Sequence, residues 1–109
     1  MSEPGKGEAL TELARCRDEI ERLDRQIVAL LAERLRLGKR TGELKRAAGL
    51  PILDPTREAA VIRRAATVAR EIGLPSEPVR EMFWQIVGMS RRVQEDVDSG
   101  GGGGGGGGA

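Results

Sequence analysis

Residues 10–48 read LTELARCRDEIERLDRQIVALLAERLRLGKRTGELKRAA, a stretch with no proline and two glycines, Gly38 and Gly42. Leu13, Cys16, Ile20, Leu23, Ile27, Leu30, Arg34, Leu37, Thr41 and Leu44 follow one another at alternating intervals of three and four. That spacing is a helical seam, widened on its flank by Leu31 and Leu35. One helix of about 40 residues would be roughly 60 Å long at 1.5 Å per residue. Gly49 and Pro51 stop it.

Two shorter helices follow. Asp54 suits an N-cap and Pro55 the first helical position, where a missing N–H is tolerated. Ile62, Ala65, Ala66, Ala69 and Ile72 form the apolar stripe of this helix, and Gly73 with Pro75 ends it. A third helix starts at Ser76 or Glu77 and carries Val79, Met82, Phe83, Ile86, Val87, Val93 and Val97. The expected fold class is all-α: three helices with a very long first one. A short turn folds the second and third back as a pair, which covers only part of a 60 Å partner. The remaining seam calls for a second copy, so an intertwined helical homodimer is expected.

Outside those helices the chain carries little that could pack. Residues 1–8 read as a disordered N-terminus, 9–98 as the helical domain and 99–109 as a disordered tail with nine consecutive glycines. A native tail and an appended linker both fit that run. The sequence contains 109 residues with a formal net charge of +1, so no global field draws it to nucleic acid or an anionic membrane. It shows neither a membrane-spanning run nor a signal-peptide pattern, and a cytoplasmic location is expected. Cys16 is the only cysteine, which rules out a disulfide within one chain, and its seam position reads as a small core residue. Phe83 and Trp84, the two aromatics, read as core and partner-facing anchors. Histidine is absent, which removes the commonest general base and metal ligand, and neither a metal nor a cofactor is expected.

Several polar residues occupy apolar places. Arg34 sits on the seam among Leu30, Leu31, Leu35 and Leu37, where a guanidinium is costly unless an anion faces it. Lys45 lies 11 residues on, about 20° around the helix and about 16 Å along it, so both cations can lean over one small anion. Taken alone, the pair also fits a snorkelling arginine and a solvated lysine. Asp54, Arg57 and Glu58 cluster at the start of the second helix, and alone they read as a cap with an exposed ion pair. Ser90 and Gln94 stand four apart on one face of the third. Arg17 lies about 100° from Arg34 around the first helix, so one chain cannot easily aim both at one point, whereas a two-fold dimer could.

Arg17-Asp-Glu-Ile20, Leu23-Asp24, Leu30-Leu31-Ala32-Glu33-Arg34, Lys45, Asp54-Pro-Thr-Arg57-Glu58, Ser90 and Gln94 together resemble the all-helical, AroQ-type chorismate mutases. The resemblance spans about residues 10–97. It implies that Arg34, Arg57 and Arg17 of the partner chain hold the two carboxylates of a dicarboxylate substrate, with Ser90 assisting. It implies further that Lys45 and Gln94 donate to the ether oxygen of the breaking bond. Glu58, with Asp54 nearby, would accept from the ring 4-substituent. The implied reaction is the Claisen rearrangement of chorismate to prephenate, which moves no proton and so suits a chain without histidine.

Two relatives of that reaction share the scaffold: a 4-amino-4-deoxychorismate mutase and an isochorismate-pyruvate lyase. Carboxylates at Asp54 and Glu58 suit an ammonium at least as well as a hydroxyl. A different class, a non-catalytic helical dimerisation or nucleic-acid module, draws on the six basic residues between 34 and 46, set against Glu43 alone. No aromatic interleaves with those charges, and such a run is usually a solvated face. Gly38 and Gly42 form a small-xxx-small pair, which implies close packing or slight flexibility.

Overall fold

The computed structural model describes residues 3–98. Three helices account for nearly all of them: α1 (Lys6–Ala48), α2 (Pro55–Glu71) and α3 (Ser76–Asp98). The glycine tail of 99–109 lies outside the described residues.

The start of α1 corrects the reading of a loose segment through residue 8. Gly5 acts as the N-cap, its carbonyl accepting from the Ala9 N–H at 2.8 Å. Its own N–H donates to Glu8 Oε1 at 3.2 Å, half of a capping box. Two glycines near the start hid this terminus, because neither contributes to an apolar pattern.

Both interhelical connections begin with the same device. At the end of α1, the Leu50 N–H reaches the Lys45 carbonyl at 2.8 Å and the Gly49 N–H reaches Arg46 at 3.1 Å. At the end of α2, Leu74 bonds to Ala69 at 2.8 Å and Gly73 to Arg70 at 3.2 Å. These are Schellman caps, and Gly49 and Gly73 take the positive φ of 72° and 81° that such caps require. Asp54 caps α2 from the other end, accepting from the Arg57 N–H at 3.1 Å with Pro55 in the first turn.

The chain falls into two units, with the boundary inside α1 between Ala32 and Glu33. In the first unit Leu10, Leu13, Ile20, Leu23, Ile27, Val28 and Leu30 are all exposed. Cys16 is exposed with them, so its reading as a core residue does not hold within one chain. Ion pairs Arg22–Glu19 and Arg25–Glu21, each 3.0 Å, lie along this stretch of helix and are themselves solvated.

The second unit holds the core, where α2 and α3 pack together. Val61, Ile62 and Val87 form its buried cluster, with Phe83 packed against them. Ala66 and Ala69 are 1% and 2% exposed. Ile72, assigned by its spacing to this stripe, is exposed because it is already the C-cap of α2. Trp84 is 64% exposed, so it anchors nothing within the chain.

Within this unit Gly38 and Gly42 allow α1 to approach α3. A Cβ on Gly38 would meet Ser90 at an ordinary 3.5 Å. A Cβ on buried Gly42 would come within 3.0 Å of Gln94 Cα and 3.2 Å of its Cβ and Cγ. The small-xxx-small pair therefore means close packing, tightest at the backbone that carries Gln94.

Candidate active site

Between the end of α1, the start of α2 and the second half of α3 lies a cavity of about 460 Å³. Arg34, Lys45, Asp54, Arg57, Glu58, Ser90 and Gln94 all line it, beside Leu37, Gly38, Thr41, Val61, Val87 and Arg91. Seven of the eight residues singled out by their pattern therefore share one cavity. Arg17, the eighth, belongs to the first unit and is exposed. A larger groove of about 1040 Å³, lined by Pro55, Ile62, Pro78, Met82 and Trp84 among others, lacks that convergence of donors.

The polar groups are tied together by specific bonds. Arg34 Nη1 donates to Ser90 Oγ at 2.8 Å, and Ser90 is buried. Burial first, and then the charge of Arg64, push the Arg34 guanidinium below its ordinary value. Its bonded partner in the cavity is a neutral hydroxyl, not a carboxylate. Lys45 Nζ donates to the Ile52 carbonyl at 3.1 Å and to Gln94 Oε1 at 2.9 Å. That second bond commits the amide oxygen as acceptor and leaves the amide NH₂ as a donor.

Sequence reading missed Arg91. Its Nε and Nη2 donate to the two oxygens of Glu58 at 3.0 and 3.1 Å, a bidentate fork joining α3 to α2. The bond and the charge of Glu58 raise the Arg91 guanidinium above its usual value. The one available signal was its place three residues before Gln94, on the same side of the helix. Taken alone, Glu58 read as part of an exposed ion pair, and by resemblance as an acceptor for the ring 4-substituent. It is paired, but across helices and part-buried. Among the described residues, the Arg57 side chain makes neither a hydrogen bond nor an ion pair.

Charge balance defines what the cavity can hold. Arg34, Lys45, Arg57 and Arg91 face Asp54 and Glu58, a formal excess of two positive charges. A small dianion offering carboxylates to the guanidiniums would complete it. Among the described residues no cluster of acidic or cysteine side chains is gathered as a metal would require.

A family model described as chorismate mutase type II matches residues 16–95. The chain belongs to that family. It is 32% identical over 91 residues to a bifunctional chorismate mutase/prephenate dehydratase from Aquifex aeolicus, an alignment covering 81% of this chain and 25% of that protein. It is also 32% identical over 88 residues to a 4-amino-4-deoxychorismate mutase from Streptomyces venezuelae, covering 81% of this chain and 85% of that one. Among solved structures, a conserved hypothetical protein from Pyrococcus furiosus superposes with a TM-score of 0.60 at 38% identity. That match covers 77% of this chain and 96% of the other. The chain spans about a quarter of the length of the first curated relatives it matches. All seven of the cavity-lining residues singled out from the sequence lie inside the matched segment.

Proposed function

We propose that this chorismate mutase type II chain converts chorismate to prephenate, an intramolecular Claisen rearrangement. The observation that carries the reading is Arg34, a half-buried guanidinium bonded to a neutral hydroxyl in a cavity with two excess positive charges. Chorismate is a dicarboxylate, and its two negative charges answer that excess.

The reaction breaks a C–O bond and forms a C–C bond within one molecule. Holding the enolpyruvyl arm over the ring converts a floppy ligand into a reactive one, which is an orientation effect. Arg34 and Arg57 would grip the carboxylates, with Ser90 assisting Arg34. As the C–O bond stretches, negative charge grows on the ether oxygen. Lys45 and the Gln94 amide would donate to it, and losing one such donor typically costs about 3–4 kcal/mol. No group in this scheme gains or loses a proton, so its lack of histidine is no obstacle.

Completion of the site by Arg17 of a second copy belongs to the same proposal. The apolar residues of the first unit are exposed along with Arg17, and pairing two copies through that seam would cover them. Among the described residues no helix is long and apolar enough to cross a membrane, so a lipid cover for the seam as a spanning helix is not an alternative.

A second reading, rearrangement of 4-amino-4-deoxychorismate, draws support from the name of the Streptomyces venezuelae relative. The deciding experiment is steady-state turnover of chorismate by the purified chain, followed at the loss of chorismate absorbance with prephenate identified as product. Absence of turnover above the uncatalysed rate would defeat the proposal.

A further inference from the structure

The fork between Arg91 and Glu58 bears on which ring substituent the cavity accepts, and that question separates the two readings above. Glu58 presents both oxygens to Arg91, at 3.0 and 3.1 Å, and the two side chains are only 31% and 23% exposed. The pair is therefore partly shielded from water, and its charges offset each other at short range. Asp54 is the other carboxylate of the cavity. Its Oδ1 accepts the Arg57 N–H at the helix cap, and the Arg57 guanidinium lines the same space.

We propose that Arg91 is a specificity-determining residue: by neutralising Glu58, it selects a ring substrate with a 4-hydroxyl and disfavours one with a 4-ammonium. The inference rests on the mutase reading, in which Glu58 meets the ring 4-substituent. A carboxylate oxygen in the fork keeps a further lone pair, so Glu58 can still accept one bond from a neutral hydroxyl. An ammonium at that place needs net negative charge and meets a carboxylate already matched by a guanidinium. Like charges brought together in a partly dry site are a strong selective element. Overall balance points the same way. Both substrates bring two carboxylates, but the amino analogue also adds a positive charge to a cavity that already holds an excess of them.

The test compares kcat/KM for chorismate and 4-amino-4-deoxychorismate in the wild type and in Arg91→Met, Arg91→Gln and Arg91→Lys. The wild type should prefer chorismate by at least about tenfold, as expected for a like-charge clash. Arg91→Met and Arg91→Gln should each move the ratio about tenfold or more toward the amino substrate. Arg91→Lys, which keeps the charge, should hold the ratio within about threefold of the wild type. Because both substrates are read on one preparation, the ratio is independent of the fraction folded. Equal or better use of the amino substrate by the wild type would overturn the inference, as would an unchanged ratio in both neutral variants. Failure of the wild type to turn over either substrate would instead overturn the mutase reading beneath it.

Discussion

Lys45 Nζ lies 2.9 Å from Gln94 Oε1, joining α1 to α3 across 49 residues of sequence. The bond does more than link two helices. It assigns the Gln94 amide oxygen as an acceptor, which leaves the NH₂ end as the donor. In the proposed reaction, a donor fixed in advance beside the ether oxygen would lose nothing to reorganisation.

Gln94→Glu should therefore make the reaction depend on pH in a direction that can be stated. A protonated carboxyl can donate to the ether oxygen, and an ionised one cannot. The active form is the acid, so kcat/KM should rise as pH falls through the carboxyl range, about 4–6, and stay depressed at neutral pH. The wild type should show no such rise, since a glutamine amide does not titrate there. A pH–rate profile of the variant parallel to the wild type would contradict a donor role for Gln94.

Gly42→Ala tests the same donor from behind. The new methyl would sit 3.0 Å from Gln94 Cα and 3.2 Å from Cβ and Cγ, so backbone must shift by a few tenths of an ångström. Displacing a preorganised donor by that distance is expected to lower kcat about tenfold, with a smaller change in KM. Gly38→Ala meets Ser90 at 3.5 Å and serves as the contrasting variant with a milder effect. Steady-state kinetics on both variants checks the order.

Arg34→Met and Lys45→Ala should separate activity from stability. An uncompensated half-buried guanidinium adds little to the fold, and methionine keeps much of its apolar stem. Both variants are expected to lose about a hundredfold or more in kcat/KM while unfolding free energy changes by less than about 1 kcal/mol. The pH sign follows from the lowered value of Arg34. A base held below its unfolded value costs stability wherever both states are charged, and the cost fades only as pH rises into the guanidinium range. The wild-type contribution from Arg34 is thus constant across neutral pH. Denaturant unfolding beside kinetics provides both numbers.

Much of this was legible because it is written in local spacing. The helical period along α1 placed Arg34 and Lys45, 11 residues apart, on one face, and Asp54 with Pro55 announced the start of α2. Gly49 and Gly73 marked ends that prove to be Schellman caps. What stayed hidden depends on how helices meet. Arg91 and Glu58 are 33 residues apart on different helices, and only packing of α2 on α3 brings them to 3.0 Å. Gly42 could have signified flexibility as easily as close approach, until the backbone of Gln94 was found against it. Ile72 matched the stripe by period yet is exposed, because a helix's last position leaves the face that the period describes. Arg17 was assigned to a site made from two copies, and its place is a matter for the assembled protein.

The proposed sharing of the site predicts a particular complementation. If Arg17 serves the cavity of the other chain, Arg17→Ala and Lys45→Ala subunits should each be nearly inactive alone. Mixed and reassembled from denaturant, they form hybrid dimers in which one cavity has its own Lys45 and receives an intact Arg17. The second cavity in each hybrid carries both defects. Random pairing puts half of the dimers in hybrid form with one sound site in two, so activity should recover to about a quarter of the wild type. A monomeric mass by light scattering at micromolar concentration, or no recovery on mixing variants that reassociate, would remove Arg17 from the site. The monomeric mass would also leave the exposed seam of Leu13, Ile20, Leu23 and Ile27 without the second copy proposed to cover it.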